Sequence, residues 1–353
     1  MSDDIVQLDS NCQGPALPLD CMVLKLEGIP EPPRIFRGII RPSLGCFFGP
    51  AKSGKTTLVE NLAYSIASGQ DEFLGEPLFC ENRRVLLVSM EEYSRSRTSR
   101  NKKQMDAFSK KHKLDPSWRD NVFVVDESFP RYLLSSEHWK LLEREIEKIQ
   151  PGFVMLDSLS RMTTDSIEDS SVASKLMKPL RELAHKHNVA LVLIHHSQKM
   201  DNRPITIASL AGSRIVSQEL DYMIGINRTT ANARYMKDVA YRYYPDDSEY
   251  VMRFTIDDNQ LIEAGEDVYE SDLISSASVS LPVNDSDKIV HETFIALAAG
   301  DASIIIKTKE LYQAMVSTGV VTRPTLHAVL KRLEKSGVII KPEKGCYRLA
   351  ESS

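Results

Sequence analysis

The segment Gly49–Thr56 has the sequence GPAKSGKT and lies between the apolar run LGCFF and the segment TLVENLAYSIASG. In a loop of the pattern Gly-x-x-x-x-Gly-Lys-Thr, backbone N–H groups and the N-terminus of the following helix converge on phosphate oxygens, because glycine allows a close approach. The alternative is a tight turn between two elements. An apolar strand before the loop and a helix after it favour phosphate binding, so we expect a nucleoside triphosphate here.

The side chains of this loop have distinct expected roles. Lys55 would reach the outer phosphates and assist catalysis, and the hydroxyl of Thr56 would bind Mg²⁺. The residues expected to bind the nucleotide are Gly49, Pro50, Ala51, Lys52, Ser53, Gly54, Lys55, Thr56 and Thr57.

Apolar runs alternate with helical patterns from Gly38 onward. The runs LGCFFG, RVLLVSM, NVFVVD, FVMLD and VALVLIHH predict strands, and helices are predicted over 55–68, 94–113, 136–149 (capped by Ser136) and 169–187. Strands that are apolar throughout are typical of a mostly parallel sheet with helices on both faces. The pattern therefore predicts an α/β core.

The pattern changes after Asp221. The short segments YMIGIN, VAYRYY and YVMRFTI predict antiparallel strands that extend the sheet, and the Ser-, Asp- and Glu-rich stretch 264–286 predicts a linker. We divide the chain into a lead-in (1–30), a core domain (31–263), this linker and a C-terminal domain (287–353). The lead-in could hold a short edge strand in DCMVLKLEGIP.

The C-terminal domain has the element order of a winged helix-turn-helix. Helices are predicted near 287–299, 307–318 and 324–336, followed by two strands around a turn at 343–345. Between Lys288 and Ala350, ten Lys/Arg oppose five Asp/Glu, although the whole chain carries −5. We expect the third helix to meet DNA. Its inward residues are Leu326, Val329, Leu330 and Leu333, and its outward, DNA-binding residues are Arg323, Thr325, His327, Lys331, Arg332 and Lys335.

Carboxylates follow two of the predicted strands. Asp157 ends FVMLD, where it could bind Mg²⁺ directly or through water; the alternative is a helix cap. Glu91 and Glu92 end the strand after the loop helix, where a carboxylate can orient the attacking water. The alternative for these two is a pair of solvated surface glutamates, which is the stronger reading for Glu92.

Several motifs together resemble a known family. They are RIFRGIIRPSLGCFFGPAKSGKTTLVENLAYSIASG, FLGEPL, VLLVSMEE, FVMLDSLSRM and ALVLIHHSQK, and they look like the RecA-like ATPases of the plasmid RepA helicase group, relatives of DnaB and KaiC. The resemblance spans residues of about 30 to 262. It implies ATP hydrolysis with Mg²⁺, Glu91 as the catalytic glutamate, Asp157 as the Walker B aspartate and His196 as a γ-phosphate sensor, whereas an isolated His at a strand end is more often structural.

The same resemblance implies a ring of subunits, usually a hexamer, in which one subunit donates an arginine to its neighbour's nucleotide. Arg242 is the first candidate for this finger and Arg214 the second, each against the alternative of a surface arginine. The sequence departs from the family pattern here, with Ala211 before Gly212 and Ala240-Tyr241-Arg242 in place of Lys-x-Arg. The departure puts ring geometry and efficient hydrolysis in doubt.

Basic segments could contact DNA within the core domain. The stretch SRSRTSRNKKQ (94–104) predicts a solvated helix face, with contact to nucleic acid or to a neighbouring subunit's nucleotide as the alternative. Basic loops of a central channel could include Arg203, Arg228, Arg234 and Lys237, with Tyr235 as the one aromatic residue for base stacking.

These features favour an oligomeric, DNA-dependent motor or replicative helicase of a plasmid, phage or other mobile element. Its partners would be DNA, further copies of itself and replication or mobile-element proteins. The alternative is a non-unwinding ATPase switch that assembles on DNA through its winged helix and regulates transcription, transposition or defence. Without a membrane span or signal peptide in the sequence, we expect a cytoplasmic protein with no membrane partner, and its five cysteines, which form no CxxC pair, to be reduced.

Overall fold

The computed structural model describes residues 15–350, apart from 28, 80, 198–199, 201–202, 230–231, 245–248, 279–284, 300, 318–320, 336 and 344. The helices are α1 Leu19–Leu26, α2 Lys55–Ser68, α3 Ser94–His112, α4 Ser136–Ile149, α5 Ser170–Lys186, α6 Arg214–Gln218, α7 Glu270–Ser278, α8 Asp285–Leu297, α9 Thr308–Leu311 and α10 Arg323–Lys335. None of them is both long and apolar enough to span a membrane.

The strands form one large sheet and three small ones. They are β1 Arg34–Phe36, β2 Ile39–Ile40, β3 Ser43–Gly49, β4 Glu72–Phe73, β5 Glu76–Pro77, β6 Val85–Ser89, β7 Val122–Val124, β8 Phe153–Asp157, β9 Ala190–His196, β10 Tyr222–Arg228, β11 Arg234–Tyr241, β12 Tyr250–Ile256, β13 Ile262–Tyr269, β14 Ile306–Lys307, β15 Ile339–Glu343 and β16 Cys346–Leu349.

The large sheet has nine strands in the order β13-β12-β11-β10-β3-β9-β8-β6-β7. The six strands β10, β3, β9, β8, β6 and β7 run parallel to one another. Strands β11, β12 and β13 continue the sheet beyond β10 in antiparallel pairing. The predicted α/β core with a mostly parallel sheet is confirmed. The strand that precedes the glycine-rich loop, β3, lies between β9 and β10, so the loop emerges near the middle of the sheet.

Two apolar layers cover the faces of this sheet, because successive side chains of a strand point to opposite sides. Phe47 of β3 packs in one layer with Leu58 and Leu62 of α2. Phe48 packs in the other layer with helices α4 and α5, which contribute Leu142, Leu176 and Leu180 among others. Burying one such side chain stabilises the fold by about 1.5–3 kcal/mol. The helices are therefore held against the sheet by the apolar spacing that predicted them.

The N-terminal region differs from the prediction. Residues 19–26 form helix α1 and not an edge strand, and none of its residues is buried. Cys21 in this helix is disulfide-bonded, so the expectation of reduced cysteines is wrong for this residue; Cys46 and Cys346 are free and buried. Helix α4 begins at Ser136 as predicted, but its cap is Ser135, whose hydroxyl accepts a hydrogen bond from the backbone N–H of His138.

The predicted linker begins in regular structure. Strand β13 continues to Tyr269 in pairing with β12, and α7 follows directly. Glu270, at the start of α7, is buried and accepts hydrogen bonds from Lys237 and from the backbone N–H of Ile205 (2.7 Å). A buried carboxylate with such partners belongs to a packed structure, so the linker prediction is wrong for residues 264–278, and 279–284 lie outside the described residues.

The C-terminal residues form a separate apolar core. Three helical segments, α8, α9 with a π-helical extension over Tyr312–Val316, and α10, precede a three-stranded sheet in the order β14-β16-β15. The core includes Val290 and Phe294 of α8 and the four inward-facing residues that the sequence predicts in α10. The pattern of helices and a closing hairpin therefore lies where it was predicted.

The basic stretch 94–104 does not form a solvated face on all sides. Arg97 is 2% exposed and donates hydrogen bonds to the backbone carbonyls of Ser89 (2.8 Å) and Val125. Arg100 pairs with Glu60 of α2 and with Glu92 (2.6 Å). Charged groups that are taken out of water need such partners. The inner side of α3 thus holds α2 and the ends of β6 and β7 together.

We expect Arg97→Met to lower the thermal midpoint of the protein by roughly 5 to 10 °C. The variant leaves two carbonyls without a charged donor, at a cost of about 2–4 kcal/mol. The matched control is Arg95→Met on the exposed side of the same helix, which should leave the midpoint unchanged. Differential scanning fluorimetry measures both, and an equal midpoint for the two variants would contradict the structural role of Arg97.

Candidate nucleotide-binding site

The residues predicted to handle nucleotide meet at the carboxyl edge of the parallel strands. Gly49 is paired in register with His196, Ser89 with Asp157, and Asp157 with Ile194. These pairings place the ends of β3, β9, β8 and β6 side by side. Carboxyl ends of parallel strands are the usual location of ligand sites in open α/β sheets.

The loop requires glycine at two positions. A Cβ atom at Gly49 would lie 1.9 Å from the carbonyl oxygen of Ile226, which rules out any side chain there. Gly54 has φ 105° and directly precedes α2, and a Cβ atom there would lie 2.7 Å from Ile256. The loop can therefore pack against β10 and β12 and still begin the helix at Lys55, which directs the helix N-terminus into the loop.

Lys55 lies inside the loop. Its ammonium group donates hydrogen bonds to the carbonyls of Gly49 (3.0 Å) and Pro50 (2.8 Å), and its burial lowers the pKa of the side chain. Ser53 is fully buried, and its hydroxyl has no hydrogen-bond partner among the described residues. A hydroxyl donor and a cation at one loop suit the oxygens of a phosphate.

Thr56 and Asp157 connect the loop helix to strand β8. The hydroxyl of Thr56 donates a hydrogen bond to Asp157 Oδ2 (2.8 Å). Asp157 is 5% exposed, and burial raises its pKa to about 6, an effect that the Thr56 hydrogen bond opposes. A buried carboxylate next to a hydroxyl is a set of oxygen donors that a Mg²⁺ ion would stabilise. A role of Asp157 as a helix cap is not seen, since its carboxylate points to Thr56.

Glu91 and Glu92 have different surroundings. Glu92 pairs with Arg100, which also binds the buried Glu60. Glu91 instead accepts hydrogen bonds from the hydroxyls of Ser158 and Ser160 (3.4 Å for the latter), and its carboxylate lies 3.7 Å from His196 Nε2. Only Glu91 therefore faces the loop and Asp157.

The contacts of Glu91 keep it ionised. The neighbouring His196 and the hydroxyl of Ser158 lower its pKa to about 2, although partial burial opposes the shift. The predictions from sequence missed Ser158 and Ser160. Their position in the segment that follows Asp157, at the same edge of the sheet, was the available signal.

The two histidines of LIHHSQK separate into an inner and an outer residue. His195 is 3% exposed, and its Nε2 lies 3.0 Å from the carbonyl oxygen of Ala211. Burial lowers the pKa of His195 to about 4, so it is neutral at pH 7. His196 is 44% exposed and lies beside Glu91. Of the two histidines, His196 is therefore the one beside Glu91, and its role as a γ-phosphate sensor stays a prediction.

The finger candidates lie away from the loop of their own chain. Arg242 follows β11 and lies 3.3 Å from the carboxylate of Asp221, which also pairs with Arg181. Arg214 begins α6, and both arginines line a cavity of about 820 Å³ beside β10. Arg242 is 46% exposed. A contact between either arginine and a neighbouring subunit's nucleotide stays a prediction.

Two residues predicted for a DNA channel are buried. Lys237 is 7% exposed and binds Glu270, and Tyr235 is fully buried with its hydroxyl 3.0 Å from the same carboxylate. Their role in a channel is therefore a wrong prediction. Arg228 and Arg234 are directly opposite each other on β10 and β11, and Arg203 is exposed.

The face of α10 predicted for DNA is largely exposed. Arg323, His327, Lys331 and Arg332 are exposed, and Thr325 is partly buried. Arg323 and His327 both bind the hydroxyl of Tyr312, at 2.9 and 2.6 Å. The side chain of Lys335 lies outside the described part of the chain.

Known proteins resemble this chain in sequence and in fold. Residues 16–202 match the family described as AAA domain. The chain belongs to this AAA domain family. Among solved structures, a KaiC-like protein from the hyperthermophilic archaeon Pyrococcus horikoshii OT3 is similar at 16% identity with a TM-score of 0.48. The match covers 67% of this chain and 100% of that chain.

Family membership and the site agree on a general activity. The chain is a P-loop ATPase of the AAA domain family. The site fits ATP and Mg²⁺ on two observations, the unpartnered Ser53 hydroxyl in the loop and the buried Thr56–Asp157 pair. Lys55, Ser53 and the loop N–H groups would hold the phosphates, and Thr56 and Asp157 would hold the metal.

We expect Glu91→Gln to bind ATP with nearly unchanged affinity and to lower turnover by about 100-fold or more, because the neutral amide lacks the negative charge with which the carboxylate orients and polarises the attacking water. Glu92→Gln is the matched control, since Glu92 pairs with Arg100 and should keep turnover within a few-fold. A fluorescent ATP analogue measures binding, and phosphate release measures turnover. Loss of turnover in Glu92→Gln with normal turnover in Glu91→Gln would contradict the assignment.

We expect Asp157→Asn to stabilise the protein at pH 8 in the absence of nucleotide and metal. The folded-state pKa of about 6 is above that of an unfolded Asp, so the ionised carboxylate costs roughly 3 kcal/mol above pH 6. The cost disappears as pH falls from 6 towards 4, because the wild-type carboxyl group becomes protonated. The thermal midpoint of the variant should therefore exceed that of the wild type at pH 8 and approach it near pH 4.

The companion variant Glu91→Gln should behave in the opposite way. The pKa of Glu91 is lowered in the folded state, so its carboxylate contributes stability above pH 4.5 that is lost as pH falls towards 2. Glu91→Gln should thus lower the midpoint at pH 8. If the thermal midpoint of Asp157→Asn at pH 8 is lower than that of the wild type, the buried Asp157 carboxylate does not destabilise the folded protein.

Proposed function

We propose that the protein is an oligomeric, DNA-dependent ATP-hydrolysing motor of the replicative-helicase type, serving a plasmid, phage or other mobile element. The observation that carries the proposal is the meeting, at one edge of the sheet, of Lys55 and Thr56 from α2, Asp157 from the end of β8 and Glu91 from the segment after β6. The motif resemblance to the RepA helicase group supports the choice of a motor among P-loop ATPases.

The chain's own groups divide the work of hydrolysis. Lys55 leaves its two loop carbonyls and neutralises charge on the outer phosphates. Bound Mg²⁺ would supply further positive charge to those oxygens. Glu91 hydrogen-bonds the attacking water and orients it; with a pKa of about 2 the carboxylate is a weak base and acts mainly through this alignment. His196 lies beside Glu91, and in this proposal it responds to the γ-phosphate.

DNA binding is proposed for the C-terminal domain as a winged helix-turn-helix. Its helix α10 exposes Arg323, His327, Lys331 and Arg332, and the hairpin β15–β16 follows as a wing. The region carries five excess positive charges. These charges favour contact with phosphates, and the helix N-terminus is suited to base edges.

A second candidate is an ATPase switch that assembles on DNA without unwinding it. The burial of Lys237 and Tyr235 favours it, because these residues are then unable to line a channel for a single strand. In this function the arginine finger would be used only to complete a stable assembly. A motor and a switch both require ATP and DNA, so they differ in the work done on the duplex.

Two measurements test the proposal. We expect single-stranded DNA to raise the rate of phosphate release several-fold, and we expect the protein to displace a strand from a forked duplex. The variant Lys55→Ala should show neither stimulated phosphate release nor strand displacement, because it lacks the charge that holds the outer phosphates. Stimulation without displacement would favour the switch. An absence of both DNA binding and stimulation by any DNA would contradict the motor and the switch together.

A further inference from the structure

Two arginines and two tyrosines form an exposed surface at the carboxyl edge of β6, β7 and β8. Tyr93 follows β6, Arg131 and Tyr132 follow β7, and Arg161 follows β8. We call these four residues the Arg–Tyr surface. The side chains of Tyr93 and Tyr132 are 56% and 41% exposed, so both rings are accessible to a ligand. The proposed nucleotide site lies at the same edge.

The four side chains are arranged in two pairs. The guanidinium carbon of Arg131 lies 5.7 Å from the ring centre of Tyr93, and that of Arg161 lies 4.9 Å from the ring centre of Tyr132. Arg161 also donates a hydrogen bond to the Tyr132 hydroxyl. The backbone N–H of Leu133 binds the carbonyl of Arg161 (3.0 Å), so the loops after β7 and β8 are joined. The surface is therefore ordered before any ligand arrives.

Among the described residues, the two arginines of this surface form no close ion pair, although the charge of Arg161 contributes to the lowered pKa of Glu91. No carboxylate of these residues lies within 4.0 Å of the guanidinium of Arg131 or Arg161, including those of Asp126 and Glu127 in the loop of Arg131. Arg100, by contrast, binds both Glu60 and Glu92. Unpaired guanidinium groups beside exposed aromatic rings suit a ligand with flat rings and a polyanionic backbone.

We propose that the Arg–Tyr surface binds single-stranded nucleic acid. Bases stack on the rings of Tyr93 and Tyr132 and on the guanidinium planes, and the backbone phosphates lie against Arg131 and Arg161. The inference rests on the proposed DNA-dependent function and names a site for the single strand that is separate from helix α10. Duplex DNA fits less well, because its bases are stacked on one another and cannot reach the rings.

The position of the surface connects a bound strand to hydrolysis. Arg161 ends a short 3-10 turn, Leu159–Arg161, which follows Ser158. Ser158 and Ser160 in this segment bind the carboxylate of Glu91, so a strand held by Arg161 acts on the segment that holds Glu91. A strand on this surface should therefore raise ATP turnover by changing the hydrogen bonds of Glu91.

The test measures the affinity for a fluorescein-labelled oligothymidine by anisotropy, in the presence of a non-hydrolysable ATP analogue. Tyr93→Ala and Tyr132→Ala should each weaken binding by at least about five-fold, the loss expected for one stacked base. Tyr132→Phe keeps the ring and should retain the affinity. Arg131→Ala should reduce the slope of log affinity against log salt by about 0.7, the value for one phosphate contact.

Matched controls lie near the opposite edge of the sheet. Tyr250→Ala removes a tyrosine of similar exposure (43%) from β12, and Arg253→Ala removes an exposed arginine from the same strand; neither should change the affinity. The ATP affinity of every variant, measured without DNA, verifies that its fold is retained. In the same variants, stimulation of ATP turnover by the oligonucleotide should fall in parallel with binding.

The possible outcomes separate the inference from the function on which it rests. If the wild type binds the oligonucleotide and Tyr93→Ala, Tyr132→Ala and Arg131→Ala bind it equally well with an unchanged salt slope, this surface is not the site, and the proposed function stands. If the wild type binds duplex DNA only, the surface has no single strand to hold, and the inference is wrong. If the surface variants change subunit assembly in light scattering but not DNA affinity, the surface is a contact between copies, which also overturns the inference. If the wild type binds no DNA, the proposed function fails with it.

Discussion

The hydrogen bond from Thr56 to Asp157 joins the two elements on which the site depends. Thr56 is the second residue of α2, and Asp157 is the last residue of β8. The bond therefore connects the start of the loop helix to a strand that lies two positions from β3 in the sheet. The carboxylate is buried there at an energetic cost. A cost of this kind persists at sites where the group has a chemical role, and a divalent cation would offset it.

The polar contacts around α3 decide which glutamate can act at this site. Glu60 is almost fully buried on α2 and binds Arg100, and Arg100 in turn binds Glu92. Glu92 is thereby fixed away from the loop, and Glu91 is left beside Ser158 and His196. Helix α3, which carries the basic stretch, therefore binds one of two adjacent carboxylates through Arg100 and leaves the other available to the site. Tyr93 and Arg131, which belong to the Arg–Tyr surface at the same edge of the sheet, remain accessible to a second ligand.

The features that could be predicted from the sequence are local or periodic. The bounds of α2, the parallel strands and the nearness of Asp157 to the loop follow from apolar spacing and from the rule that strand ends meet at one edge. Arg97, Lys237 and Glu270 could not be predicted in this way. Their partners lie far along the chain: Arg97 binds the carbonyl of Val125, and Lys237 and Glu270 are 33 residues apart. Without knowledge of these contacts, a basic or Ser-rich segment is predicted to be exposed to solvent. Helix α1 was missed because eight residues with several apolar side chains do not distinguish a helix from a strand.

The most direct test of the account is an experimental structure of the protein with Mg²⁺ and a non-hydrolysable ATP analogue. The account predicts a triphosphate within the loop 49–56, with Lys55 on its outer phosphates, and a metal ion bound by the Thr56 hydroxyl and reached by Asp157 directly or through one water. Glu91 should face the γ-phosphate, and Glu92 should remain on Arg100. A loop without nucleotide, or a metal ion distant from both Thr56 and Asp157, would contradict the central claim.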